Sequence, residues 1–246
     1  MTKKITVIGG AGFVGTNFCQ KLMEKKLPFE IIDIKKSKRF PSNSKIGDVR
    51  DLFSLRKTIS GEILVNLAAI HRDDIKDKNE YYKTNVLGAQ NIAEICNEKN
   101  IKKIIFTSSV AVYGFTNEIT GENGKINPFN EYGKTKFEAE EKLRKWQVSG
   151  VNKLIIIRPT VIFGEGNRGN VYNLLNQIAT RRFLMIGNGR NKKSLAYIGN
   201  VVAFLVKCVD SEKDYEVFNY VDTPNLDMNS LVKKVRVILF DEDSVG

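Results

Sequence analysis

The stretch ITVIGGAGFVG, residues 5–15, constrains this chain more than any other. A short β-type run leads into glycines at 9, 12 and 15, and a helical pattern with Val14, Phe18 and Leu22 on one face follows. Strand, tight turn and helix in that order make a cradle in which backbone N–H groups and the positive end of a helix face an anion. Gly9 allows the turn, Gly12 leaves room for phosphates, and Gly15 lets the helix pack close to the sheet. The ligand suited to this spacing is a dinucleotide, its pyrophosphate on the helix N-terminus. A glycine triplet alone is equally compatible with a structural turn, so the rest of the sequence must decide.

Further strand-like runs recur at residues 29–34 (FEIIDI), 63–69 (ILVNLAA), 101–109 (IKKIIFTSS), 154–161 (LIIIRPTV), 183–186 and 215–220. Helical patterns lie between and after them, at 51–60, 78–99, from Glu131 onward, and at 171–180, 196–209 and 228–239. Strands alternating with helices predict an α/β fold, a doubly wound parallel sheet of Rossmann type. Ligands of such a sheet sit at the carboxyl ends of the strands, where Gly9, Asp33, Ala68 and Ser109 fall. We read residues 1–165 as a dinucleotide-binding domain. Residues 166–246 read as a smaller substrate cap, some of whose strands and helices return to the first domain.

Asp33 follows the glycine turn by about 20 residues, where an acid holds the adenosine ribose hydroxyls. A carboxylate there disfavours a 2′-phosphate, so NAD is expected over NADP. The cations Lys35, Lys36, Lys38 and Arg39 just beyond pull the other way. Tyr132 and Lys136 are four apart on a helix and project from one face. On their own they could extend the inward stripe of Ala139, Leu143 and Trp146. With Ser109 at a strand end and a nucleotide turn upstream, they read as chemistry.

Composition narrows the remaining classes. With 42% hydrophobic and 27% charged residues, the chain is of ordinary globular type. No apolar run approaches the length of about 18 residues that would span a membrane, and no signal-type segment follows Lys3 and Lys4, which predicts a cytoplasmic protein. The net charge of +11 is dispersed among acids, which argues against nucleic acid and suits an anionic small substrate. Cys19, Cys96 and Cys208 are far apart in expected helices and read as buried thiols, with no metal site.

Taken together, VIGGAGFVG, GDVRD, NLAA, NVLGAQN, SSVAVYG, YGKTK and RPTVIFG resemble, in order and rough spacing, the extended short-chain dehydrogenase/reductases. Within that family the similarity is to the NAD-dependent epimerase/dehydratase group acting on nucleotide sugars. The resemblance makes Gly9, Gly12, Phe13, Val14 and Gly15 the pyrophosphate loop and Asp33 the ribose acid. Asp48 and Val49 match the adenine contacts. Leu67, Ala68 and Ala69 would line the cofactor, Asn85 would brace neighbouring strand ends, and Pro159 would lie by the nicotinamide. Ser109, Tyr132 and Lys136 match the catalytic triad, with Tyr132 and Lys136 also touching the cofactor. His71, Ser109, Asn170, Arg190 and Lys193 are the implied substrate contacts, Lys193 standing where relatives carry an arginine.

Relatives that dehydrate their sugar have an Asp-Glu pair after the strand-end hydroxyl, whereas Val110 and Ala111 stand here. Epimerisation at C4 or reduction of a 4-keto sugar remains, on a nucleotide-diphosphate sugar in a homodimer built from the 78–99 and Tyr132 helices, with Phe137 on the outer face. The family continues beyond the point at which this chain reaches DEDSVG, so the cap is expected to be incomplete. Two other readings are a catalytically silent dinucleotide sensor or scaffold, which the triad opposes, and a sterol-type reductase, which the polar loops GEGNRGN and GNGRNKKS oppose.

Overall fold

A computed structural model describes residues 3–71, 75–116 and 118–241, so of the DEDSVG end all but Asp241 lies outside the described residues. The elements run β1 (Ile5–Ile8), α1 (Phe13–Glu24), β2 (Phe29–Asp33), β3 (Ser44–Ile46), α2 (Leu52–Thr58), β4 (Ile63–Asn66) and α3 (Asn79–Tyr81). A π-helical turn, Tyr82–Leu87, joins α3 to α4 (Gly88–Glu98). Then come β5 (Lys103–Thr107), α5 (Glu131–Val148), β6 (Lys153–Pro159), β7 (Val161–Phe163), α6 (Asn170–Ala179), β8 (Leu195–Tyr197), α7 (Ile198–Asp210), β9 (Tyr215–Tyr220) and α8 (Met228–Phe240).

Two compact units result. The first holds the residues up to Pro159 and Val202–Tyr220, the second Thr160–Val201 and the residues from Val221. In the first, seven strands in the order β3-β2-β1-β4-β5-β6-β9 make a wholly parallel sheet. Each inner strand is covered on both faces, which is why β1 and β4 are buried at all four positions and read as continuous apolar runs. On one side Ile8, Ile32, Leu64, Ile104, Phe106 and Ile156 pack against Leu55, Ile92, Ile95, Leu143 and Trp146 of the helices. Strand order reverses between β1 and β4, and this opens a crevice at their carboxyl ends.

In the second unit β7 and β8 form a parallel pair, and α6 and α8 enclose Ile178, Met228 and Val232. The expected helix at 196–209 begins at Ile198, because Leu195–Tyr197 is taken by β8. Residues 183–186, expected as a strand, are not one. Phe183 and Met185 turn into the α6/α8 cluster while Leu184 and Ile186 are 80% and 90% exposed. The alternation of a strand is present, but among the described residues the segment has no ladder partner.

A polar knot closes the amino-terminal end of the first unit's sheet. The carboxylate of Glu30, almost fully buried, accepts bonds from Thr6 Oγ1 (2.7 Å), Ser60 N (2.6 Å), Ser60 Oγ (2.7 Å) and Lys45 Nζ (2.9 Å), and pairs with Lys4. Burial pushes its pKa up, but the hydrogen bonds outweigh burial and hold the carboxyl at about 2. A depressed carboxyl stabilises the fold above its unfolded pKa and loses that contribution as pH falls toward its folded one. We therefore expect Glu30 to supply about 3 kcal/mol that disappears between roughly pH 4.5 and 2. Urea unfolding across that range, on the wild type and Glu30→Gln, should give a flatter pH dependence for the variant; parallel curves would refute the role.

Candidate active site

The glycine turn is built by backbones in direct contact. Gly9 has φ +76°, and a Cβ there would lie 2.7 Å from the amide nitrogen of Ala68 at the end of β4. A Cβ on Gly15 would strike the Gly9 carbonyl oxygen and the Gly10 Cα, so α1 can approach the turn only as glycine. Gly12 is different: its Cβ would meet just the Gly9 oxygen, at 3.3 Å. Helix α1 starts there with no side-chain cap and no acidic residue in its first turn. Its first N–H groups, at Phe13 and Val14, thus have no side-chain cap, and the cradle fits a dinucleotide diphosphate.

The acid expected beside it is in place. Asp33 ends β2, and its Oδ2 accepts the Ala11 N–H at 2.9 Å, which ties the carboxylate to the glycine turn. Asp48 follows β3 and is clasped by the Arg50 guanidinium, which also reaches Glu80; this side-chain bonding holds the Asp48 carboxyl below the usual range. Val49 is buried, close enough to Gly88 that a Cβ there would come within 2.9 Å of its Cγ2, and its carbonyl accepts Asn91 Nδ2 at 2.8 Å. Leu67, Ala68 and Ala69 continue from β4 into the crevice, with Leu67 N–H on the Ile8 carbonyl at 2.9 Å.

Asn85 lies in the π-helical turn, 3% exposed. Its amide exchanges bonds with both backbone groups of Ile70 and donates to Thr135 Oγ1 at 3.0 Å, so it joins the segment after β4 to α5. Pro159 ends β6, paired with Tyr220 of β9.

Ser109 caps a short 3₁₀ turn, Val110–Tyr113, and its Oγ accepts the Ala111 N–H at 3.2 Å. Opposite it α5 begins, capped by Asn130 on the Gly133 N–H at 2.9 Å. Gly133 touches the Ala111 carbonyl, a fit no side chain could share, and this brings Tyr132 onto the Ser109 turn. Burial pushes the Tyr132 phenol above its ordinary pKa, and the hydrogen bond from Ser109 opposes the rise. Lys136, 1% exposed, donates to the Thr107 carbonyl at 2.6 Å and stands 4.2 Å from the centre of the Phe106 ring. Burial lowers its pKa to about 7, against the pull of the Glu140 carboxylate. The Thr107 and Ser108 hydroxyls beside it are buried with no protein partner.

The first unit thus brings together Gly9, Gly12, Gly15, Asp33, Ala68, Asn85, Ser109, Tyr132 and Lys136 at one end of its sheet. His71 is exposed in the segment after β4. Asn170, Arg190 and Lys193 belong to the second unit. Asn170 opens α6, and Arg190 and Lys193 are exposed in the loop before β8. Sequence reading missed Gly133, Thr135, Glu140 and Arg158. The last carried a visible signal, a lone charge inside the apolar run LIIIRP.

The sequence profile of the NAD dependent epimerase/dehydratase family matches residues 5–220. The chain is 48% identical over 242 residues to the N-acetyl-alpha-D-glucosaminyl-diphospho-ditrans,octacis-undecaprenol 4-epimerase of Escherichia coli O157:H7, spanning 96% of this chain and 72% of that protein. It is 28% identical over 256 residues to the UDP-glucose 4-epimerase of Vibrio cholerae, spanning 97% and 76%. Its fold matches the UDP-glucose 4-epimerase of Thermotoga maritima, solved with UDP-glucose, with TM-score 0.84 and 23% identity over 98% of this chain and 84% of the other. The chain belongs to the NAD dependent epimerase/dehydratase family. It is an enzyme, and its cofactor is NAD. Among the described residues no helix is long and apolar enough to cross a membrane.

Gly12→Ala should fold with a stability within about 1 kcal/mol of wild type, since only one oxygen is crowded, yet lose tenfold or more in NAD affinity. Calorimetric titration with NAD beside thermal melts checks this, and unchanged affinity would remove the pyrophosphate from this turn.

Proposed function

We propose that the chain interconverts C4 epimers of a sugar linked through a diphosphate, with Ser109, Tyr132 and Lys136 as its catalytic residues. The observation that carries the reading is the meeting of the Ser109 turn with the start of α5, where Gly133 touches the Ala111 carbonyl, which sets Tyr132 and the buried Lys136 beside Ser109 at the sheet end that holds the dinucleotide cradle. The 48% relative is named for an N-acetylglucosaminyl diphosphate on a polyprenol, and the more distant ones for UDP-glucose, so the expected substrates are a nucleotide sugar or its lipid-linked counterpart. Gly9, Gly12, Phe13, Val14, Gly15, Asp33, Asp48, Val49, Leu67, Ala68, Ala69, Asn85 and Pro159 form the cofactor side. Asn170, Arg190 and Lys193 supply polar groups for the diphosphate, with His71 as a further substrate contact.

Bound NAD supplies the carbon that takes hydride from the sugar and returns it. The chain's own part is to move one proton. Tyr132 accepts the C4 hydroxyl proton as the ketone forms and returns it when the opposite epimer is made. A free phenol, pKa about 10, needs about 4 kcal/mol of added stabilisation as phenolate to work near pH 7. Ser109 contributes by donating to the phenol oxygen, and the Lys136 ammonium contributes as a fixed charge one helical turn away. Val110 and Ala111, apolar in the turn after Ser109, offer no acid or base for removing water.

Incubating the protein and NAD with UDP-N-acetylglucosamine, UDP-glucose and N-acetylglucosaminyl-diphospho-undecaprenol, read by NMR at C4, tests the reaction and the carrier together. Tyr132→Phe should lower turnover by about a thousandfold while NAD affinity stays within twofold, because it deletes one hydroxyl and keeps the ring. A Tyr132→Phe enzyme with substantial turnover would remove the proton-transfer role.

The proposal extends to a homodimer through α4 and α5, with the partly exposed Phe137 on the face of α5. Light scattering at micromolar concentration should give twice the chain mass, and monomer alone would reject the pairing.

A further inference from the structure

Strand β6 buries a full positive charge. Arg158 is 5% exposed between Ile157 and Pro159, and its guanidinium makes four hydrogen bonds within the protein. One edge donates to both oxygens of Glu140, Nε to Oε1 at 2.9 Å and Nη2 to Oε2 at 2.5 Å. The remaining nitrogen, Nη1, donates to the Tyr113 hydroxyl at 2.6 Å and to the Glu122 carbonyl at 3.2 Å. Tyr113 passes its own proton to Asn219 Oδ1 at 2.8 Å on β9, and the Asn219 side chain donates to the Thr120 carbonyl at 3.1 Å.

The two ends of this bridge are the two halves of the catalytic group. Glu140 stands on α5 one turn beyond Lys136 and two beyond Tyr132, on the same face. Tyr113 closes the 3₁₀ turn that Ser109 opens. We propose that Arg158 is a positioning residue that sets the spacing of Ser109 from Tyr132 and Lys136, by fixing Glu140 and Tyr113 to one rigid plane. The inference rests on the catalytic roles proposed above. Filling the space does not require a charge, since well-packed apolar side chains commonly replace a buried ion pair without loss of stability. What the pair adds is direction. A guanidinium holds its partners in a fixed fork, and an ammonium on a flexible stem cannot reproduce it.

The test uses the full chain with NAD and UDP-N-acetylglucosamine, or whichever sugar in the panel the wild type turns over, and counts active sites by NAD titration. Arg158→Lys should lower kcat per NAD-binding site tenfold or more, and Tyr113→Phe several-fold, with NAD affinity and KM within twofold. Lys103→Met serves as the control. Lys103 is also buried, donating to the Val209 and Ser211 carbonyls at 2.5 Å, so its loss should lower the melting temperature and leave kcat per site unchanged. If Arg158→Lys does not fold, Tyr113→Phe, which removes one hydroxyl, carries the test. Crystal structures of the variants beside the wild type provide a readout that does not depend on turnover and should show Ser109 displaced relative to Tyr132 and Lys136. Wild-type kcat per site in the variants, or crystals in which that spacing matches the wild type, would overturn the proposal. A wild type without epimerase activity would instead defeat the proposed reaction, and the crystal geometry would still decide the role of Arg158.

Discussion

Backbone touching backbone is the constraint on which the first unit depends. Gly15 lies against the Gly9 carbonyl, and Gly9 lies against the amide of Ala68, so turn, helix and neighbouring strand meet with no side chains between them. That contact fixes where α1 begins, and hence where its unpaired N–H groups point. It also falls between β1 and β4, where the strand order reverses and the crevice opens. Two backbone contacts thus place the cradle, the Asp33 carboxylate tied to Ala11 and the small residues after β4 at one sheet end.

The proposed catalytic group uses low polarity in two opposite senses. Burial makes the phenol of Tyr132 harder to ionise and the ammonium of Lys136 easier to neutralise. Each shift is moderated by a specific partner, Ser109 for the phenol and Glu140 for the lysine. Burial thus pushes the two apart, the phenol upward and the ammonium downward, and the partners limit that separation. The Thr107 carbonyl that holds the lysine belongs to the strand leading into Ser109, so strand and helix are joined at the site as well as through Arg158.

Legibility followed the range of each signal. The glycine spacing, the acid ending the second strand, the continuous apolar runs and the Tyr132–Lys136 spacing are local patterns, and the structure carries them in the expected elements. Residues 183–186 misled because a short apolar run, FLMI, reads as a strand from sequence, whereas here only Phe183 and Met185 are used, packed on a helix pair. The Arg158–Glu140–Tyr113 bridge was out of reach for another reason. Its members are 18 and 45 residues apart in sequence, and nothing local in any of them names the others. Gly133 was hidden inside a motif read for its tyrosine and lysine, although its missing side chain lets them reach the serine turn.

The widened turn at Tyr82–Leu87 turns residue count into a coordinate. In an α-helix each residue advances the side-chain direction by about 100°. Excising one residue from this turn would let the helix close into the ordinary α pattern with every backbone bond made, so local hydrogen bonding would register no loss. Because the wider turn advances less per residue, its six residues cover about the rotation of five α-helical ones, so Gly88 and Asn91 would keep their places against Val49. Indel tolerance, ordinarily governed by whether a segment is loop or helix, is here governed by phase: the turn already absorbs one extra residue, so a deletion within it would disturb the wall at Val49 less than a deletion in the regular helix that follows.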